Sequence, residues 1–231
     1  MTANDVRDPR RALLVGIDDA PPVPMQQGTP EGGDFRGYEV DLLAALAARI
    51  GAALRFRRAY WSAIVADLAA GRVDAVCSAA TVTPERAREV DFCRPHLHLT
   101  LAVVTRAGDP AGTALAGRRV GVRAGTTAEA YARAHGAPQP AAVSESNDAL
   151  YAALAAGALD AVVDDSPIAA HFAGAAPGLA VAGALPDTEA AYAIMVRQGD
   201  DALRGSLDAA LEALESDGTL HALRVRWGLD R

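Results

Sequence analysis

One stretch of this chain occurs twice. Leu68-Ala69-Ala70-Gly71-x-x-Asp74-Ala75-Val76 returns as Leu154-Ala155-Ala156-Gly157-x-x-Asp160-Ala161-Val162. Each copy reads as a helix, a glycine stop and an apolar strand. Each then runs on to a helix start marked by proline, Thr83-Pro84 in one and Ser166-Pro167 in the other. Glycine ends helices because it adopts the left-handed conformation without a Cβ clash, and proline suits the first helical turn. A repeated helix–strand unit predicts two α/β lobes. Their strand ends and helix N-termini would face a shared crevice.

The rest of the chain supports that reading. Ala12 to Ile17 is an apolar run ending at Asp18-Asp19, a buried strand. Ala20 to Gly33 is rich in proline and glycine and reads as loop. Gly37 opens a helix with Val40, Leu43, Ala44, Ala47 and Ile50 on one face, and Gly51 ends it. Leu54 to Arg57 alternates as a strand, and Trp61 starts a helix. Leu97 to Thr105 and Ala191 to Val196 read as single strands. Arg119 to Arg123 is a strand, Gly125-Thr126-Thr127 a turn, and Ala128 to His135 a helix. Ser146 caps another helix, and Ser166 is the expected cap before Pro167. Two amphipathic helices, Asp200 to Ser216 and Thr219 to Trp227, close the chain.

The first copy leads into Ala79-Ala80-Thr81-Val82-Thr83-Pro84-Glu85-Arg86. Thr83 can cap a helix, which puts Arg86 in its first turn beside free amides that favour an anion. A guanidinium there, next to a hydroxyl and strand-end carbonyls, suits a zwitterion. Arg86 would take a carboxylate; Thr81 and the carbonyls would take an ammonium. A capped surface helix with a solvated arginine fits the same octet.

Composition removes several classes of function. The net charge is −7 and no basic run exists, which argues against nucleic acid and anionic membrane as partners. All 22 basic residues are arginine, so lysine Schiff bases and a P-loop are absent. Cys77 and Cys93 have no zinc-ligand spacing; a buried free thiol and a single disulfide both remain open for them. His96 and His98 would share a strand face, without the further ligands a metal needs. No cofactor is expected. No apolar run reaches membrane-spanning length, and Met1 to Arg11 is charged, without a signal-peptide core.

Four stretches resemble the amino-acid-binding type II periplasmic binding proteins of ABC transporters, solute-binding protein family 3. They are Gly37 to Leu42, Trp61 to Asp74, Thr81 to Pro95, and Asp217 to Gly228, in family order from about residue 11 to 229. The resemblance implies a monomer of two closing lobes. Lobe 1 would be residues 1–97 plus 193–231 and lobe 2 residues 98–192. Hinge crossings would lie near His96–Thr100 and Ala190–Ile194. It implies a periplasmic or extracellular receptor working with an ABC permease; the missing signal core leaves a cytoplasmic location open.

The resemblance also assigns a site. Arg86 would pair with the ligand carboxylate, helped by Thr81 and by the amides of Thr126 and Thr127. Asp165 and the Ala79 carbonyl would hold the ammonium. Trp61 would form one aromatic wall, and Pro21 stands where a second usually is. Asp18 would meet a polar or basic side chain. Arg123, in a strand, reads as a second ligand contact or a solvated edge charge, the latter favoured. Two other functions stay open: an enzyme like the cyclohexadienyl or arogenate dehydratases, and a ligand-sensing domain. Against the enzyme, Ala128 stands where those dehydratases carry their acid, with Glu129 one place later.

Overall fold

The computed structural model describes residues 12–137 and 139–230. The charged stretch 1–11 lies outside the described residues. The chain begins with strand β1 (Ala12–Asp18), helix α1 (Tyr38–Ile50), β2 (Ala53–Ala59), α2 (Trp61–Ala69), β3 (Ala75–Val76) and β4 (Val90–Phe92). It crosses over through β5 (Leu97–Leu99). It continues as β6 (Leu101–Arg106), β7 (Val120–Arg123), α3 (Thr127–Ala134), β8 (Ala142–Ser144), α4 (Asn147–Ala155), β9 (Ala161–Asp165), α5 (Ser166–Ala175) and β10 (Leu179–Ala184). It returns through β11 (Ala190–Tyr192) and ends with β12 (Met195–Arg197), α6 (Asp201–Ser216) and α7 (Thr219–Arg226).

Two five-stranded sheets result, ordered β2-β1-β3-β12-β4 and β10-β6-β9-β7-β8. In the first, β2, β1 and β3 are parallel and β12 is antiparallel to β3. In the second, β8, β7 and β9 are parallel and β6 is antiparallel to β9. The two sheets share one topology, each borrowing its antiparallel strand from across a crossing. Antiparallel β5 and β11 form a separate two-stranded ribbon between them.

The repeated sequence occupies equivalent places in both sheets. Gly71 and Gly157 end α2 and α4 at φ +69° and +77°. Asp74 Oδ2 accepts from the Leu14 amide at 3.0 Å, and Asp160 Oδ2 accepts from the Arg119 amide at 3.0 Å. In both copies the aspartate's own amide donates back to the same residue's carbonyl, at 2.8 and 2.9 Å. Each carboxylate thereby sets the register at the start of its parallel pair.

The motif at Gly37 is explained residue by residue. Gly37 has φ +146°, and a Cβ there would meet the Met25 carbonyl oxygen at 2.1 Å. The Tyr38 hydroxyl donates to the His96 carbonyl at 2.7 Å. Asp41 accepts from Trp227 Nε1 at 2.8 Å, fastening the C-terminal helix to α1. Glu39 is fully buried and accepts from the Ala79 amide at 2.9 and 3.1 Å and from Gln26 Nε2 at 3.0 Å. Ala79 has φ +49°, a left-handed conformation unfavourable for a residue with a Cβ. The paired bonds to Glu39 hold it there.

Several expectations change. The buried face of α1 is Glu39, Leu42, Leu43, Leu46 and Ala47; Ala44 is exposed. Leu97–Thr105 and Ala191–Val196 are each two strands, because the chain leaves one sheet for another partway along. Arg86 begins a single 3-10 turn, Arg86–Arg88, and β4 follows too soon for an α-helix. Asp165, not Ser166, is the N-cap residue of α5; Ser166 Oγ instead accepts from the Thr100 amide at 3.2 Å. Of the two states open to Cys77 and Cys93, the structure has the expected one: both are free and buried.

His96 is fully buried while His98 is exposed, so the pair shares no face. The ligating atoms of Glu39, Cys77 and His96 lie within 4.8 Å of one another. Burial pushes the Cys77 thiol well above its ordinary pKa, so it stays protonated. The cluster is a buried polar knot beneath the crossing.

Glu39→Ala strands the Ala79 amide and the Gln26 amide in a buried site. Urea denaturation should show a loss of roughly 3 kcal/mol. Glu39→Gln keeps an acceptor oxygen and should lose less than half of that.

Candidate functional site

The C-terminal ends of β1, β3, β7 and β9 converge where the two sheets face each other. Trp61, Ala79, Thr81, Arg86, Thr126–Thr127 and Asp165 line one cavity there, of about 20 Å³. That volume holds about one water, so the cleft is shut on its own side chains. Asp18 lies behind Arg123 and is outside the lining.

Thr81 is buried, and its stretch is tied to the returning chain. It bridges Tyr192, while Val82 donates to the Ala191 carbonyl at 2.9 Å and Ala193 to the Ala80 carbonyl at 3.1 Å. Thr83 Oγ1 accepts from the Arg86 amide at 3.2 Å, the cap that the Thr-Pro pair predicts. The Arg86 guanidinium donates to the Thr81 carbonyl at 2.8 Å and, across the cleft, to the Gly125 carbonyl at 3.3 Å. It lies 4.8 Å from the centre of the Trp61 ring. Trp61 Nε1 donates to the same Gly125 carbonyl at 3.2 Å. Burial lowers the Arg86 pKa, but guanidinium starts so high that the charge persists.

Thr126 is the N-cap of α3: its hydroxyl accepts from the Glu129 amide at 3.3 Å and donates to the Arg123 carbonyl at 2.7 Å. Thr127 is the first helical residue, so capping falls to its neighbour. Glu129 accepts from the Gly125 amide at 2.8 Å and pairs with Arg133 at 2.7 Å. These contacts hold its pKa below the ordinary value.

Asp165 and Asp164 are adjacent and buried. Asp165 Oδ2 accepts from the Tyr192 hydroxyl at 2.6 Å, and Oδ1 has no partner among the described residues. Asp164 accepts from Asn147 Nδ2 at 2.5 Å, from the Tyr151 hydroxyl at 3.1 Å and from the Asp165 amide at 2.9 Å. Burial raises Asp165 to about 6 and, with the neighbouring Asp165 charge, raises Asp164 to about 7.

Arg123 is not a solvated edge charge. It is 6% exposed, and its Nη2 pairs with Asp18 of the other sheet. The same nitrogen donates to the Ala20 carbonyl at 3.0 Å, while Nε has no partner among the described residues. Asp18 is 2% exposed; burial raises its pKa against the pull of Arg123. The place at which Asp18 would meet a ligand is taken by Arg123. Asp19 turns outward to Arg58, at 2.9 Å. Arg123 carried one usable signal, its position at a strand's C-terminal end just before the Gly125 turn. Tyr192, inside an apolar run, carried none.

Two like-wound sheets with a site between their strand ends define the type II periplasmic-binding fold. The description "bacterial extracellular solute-binding proteins, family 3" matches residues 13–230, and the chain belongs to that family. It is 33% identical over 230 residues to the L-arginine-binding protein of Pseudomonas aeruginosa, covering 94% of this chain and 88% of that one. It is 29% identical over 231 residues to the L-cystine-binding protein TcyJ of Escherichia coli, covering 97% and 85%. Among solved structures it superimposes on an ancestral amino acid-binding protein, a precursor of cyclohexadienyl dehydratase. The TM-score is 0.84 at 29% identity, with 94% of both chains covered. Among the described residues no helix is long and apolar enough to cross a membrane.

The buried aspartates predict a pH signature. Asp164 ionises near 3.8 when unfolded and near 7 when folded. Its contribution to stability is therefore full below about pH 4 and lost as pH rises through about 7. His96, lowered to about 3 by burial, works oppositely: its contribution is full above its unfolded value of 6.5 and lost as pH falls. Comparing variant with parent isolates the aspartate. The melting temperature of Asp164→Asn, relative to the parent, should improve as pH rises from about 4.5 to about 7.5.

Proposed function

We propose that this protein captures an α-amino acid between two lobes and releases it unchanged. One observation carries the reading. A half-buried guanidinium, Arg86, and a buried carboxylate with a free oxygen, Asp165, line one cavity from opposite sheets. That pairing is complementary to a carboxylate and an ammonium on one carbon. Thr81 and the amides of Thr126 and Thr127 complete the carboxylate contacts, the Ala79 carbonyl joins Asp165, and Trp61 walls the side chain. The lobes are residues 1–97 with 193–231, and residues 98–192. They rotate about the crossings that hold β5 and β11.

The arginine- and cystine-binding relatives support an amino-acid ligand. The family supports a location outside the cytoplasmic membrane and delivery to an ABC permease. Turnover is not expected: Ala128 is buried and inert, and Glu129 is ionised and bound to Arg133. Prephenate and arogenate should therefore decay at their uncatalysed rates in its presence. Product formation that vanishes in Glu129→Gln would reverse this.

Arg86→Ala should fold normally and lose about 2–5 kcal/mol of ligand binding by calorimetry. Unchanged affinity would remove the carboxylate assignment. Asp165 must be ionised to hold the ammonium. Affinity should therefore fall up to about tenfold per pH unit below about 6, where its pKa lies. The fall should disappear in Asp165→Asn, together with most of the affinity. Small-angle scattering should show the radius of gyration shrinking when ligand is added to an open apo form.

A further inference from the structure

The Arg123–Asp18 pair bears on which amino acid fits, and this inference rests on the amino-acid reading above. We propose that the side-chain end of the cleft takes a side chain ending in an oxygen acceptor, a carboxamide or a carboxylate, and rejects cations. Arg123 already supplies the cation that Asp18 would otherwise ask of the ligand.

The argument begins with charge. Arg86 and Arg123 line the cavity, with Asp164 and Asp165. Asp165 is the ammonium partner. Asp164 is enclosed by Asn147 and Tyr151 and already accepts from both. Asp18 is the acid at the end of β1, and Arg123 holds it through a contact that leaves both side chains under a tenth exposed. A ligand guanidinium or side-chain ammonium would have to displace Arg123 from Asp18. That would strand a second guanidinium in a desolvated site, beside a like charge. Breaking a buried pair by leaving one charge uncompensated is strongly unfavourable.

The second argument is an unused donor. Arg123 Nε is buried and has no partner among the described residues, on a side chain that lines the cavity. Buried donors are costly unless bonded. An aliphatic side chain would leave that donor empty and a cation would repel it. A carbonyl or carboxylate oxygen would accept from it. The pair also joins β1 of one sheet to β7 of the other, so Arg123 selects the ligand in the closed arrangement.

The test is calorimetry with glutamine, asparagine, glutamate, aspartate, arginine, lysine and leucine, on the parent and on Arg123→Met. The parent should bind one of the first four at least about tenfold tighter than arginine, lysine or leucine. Arg123→Met frees Asp18 and should shift the order towards arginine or lysine. The double variant Asp18→Asn/Arg123→Gln replaces the ion pair with a neutral one and guards against misfolding of the single variant. In it, the preference for an acceptor side chain over arginine should shrink. Tightest binding of arginine, lysine or leucine by the parent overturns the inference while leaving the amino-acid reading intact. So does an order unchanged in both variants. No binding of any amino acid by the folded parent overturns the amino-acid reading itself, and this inference falls with it.

Discussion

A buried carboxylate organises the molecule. Glu39 sits on the first turn of α1, fully enclosed, and accepts both contacts of the Ala79 amide. Ala79 adopts a left-handed backbone that nothing in its own side chain favours. The chain can therefore leave β3 and turn towards the cleft only because Glu39 waits beneath it. Gln26 binds Glu39 and the Cys77 carbonyl, and Ser78 binds Gln26 while accepting from the Asp18 amide. One network thus sets the end of β1, the exit of β3 and the start of α1. Desolvation raises Glu39 to about 7, so the network tolerates its being neutral.

The cleft divides its charge between the two sheets. The first contributes Asp18 and Arg86, the second Arg123, Asp164 and Asp165, so each sheet carries groups of both signs. In the shut arrangement the cross-sheet contacts include Arg123 with Asp18 and the Ala20 carbonyl, and Arg86 and Trp61 with the Gly125 carbonyl. The first is a contact that a ligand must respect. The second is a carbonyl bond that a ligand carboxylate can replace with a stronger, charge-assisted one. In the proposed site, that difference would separate the recognition of any amino acid from the choice among them.

Much of the frame was readable before any coordinates. The repeat around Asp74 and Asp160 works because each aspartate meets the backbone of its neighbouring parallel strand, a local and repeatable contact. The order of helices and strands followed from periodicity and from glycine and proline placement. Errors gathered at the crossings. Ala191 to Val196 is apolar throughout and Leu97 to Thr105 is broken only by His98 and Thr100 before its last residue, yet each changes sheet midway. Hydrophobicity records burial and does not record which partner strand does the burying.

The sequence by itself determined the α/β alternation, the Thr83-Pro84 turn that aims Arg86, and the Gly125-Thr126 start of α3. All of these depend on residues within a few positions of each other. Tertiary structure alone decided that Arg123 is buried against Asp18, that Tyr192 bonds Asp165, and that His96 joins Glu39 and Cys77. Those partners are 105, 27 and 57 or 19 positions apart, as their residue numbers give. The charge of an isolated arginine at a strand end is the same whether water or a carboxylate surrounds it. Only the apposition of two sheets, which removes the water, turns that charge into a constraint on the ligand.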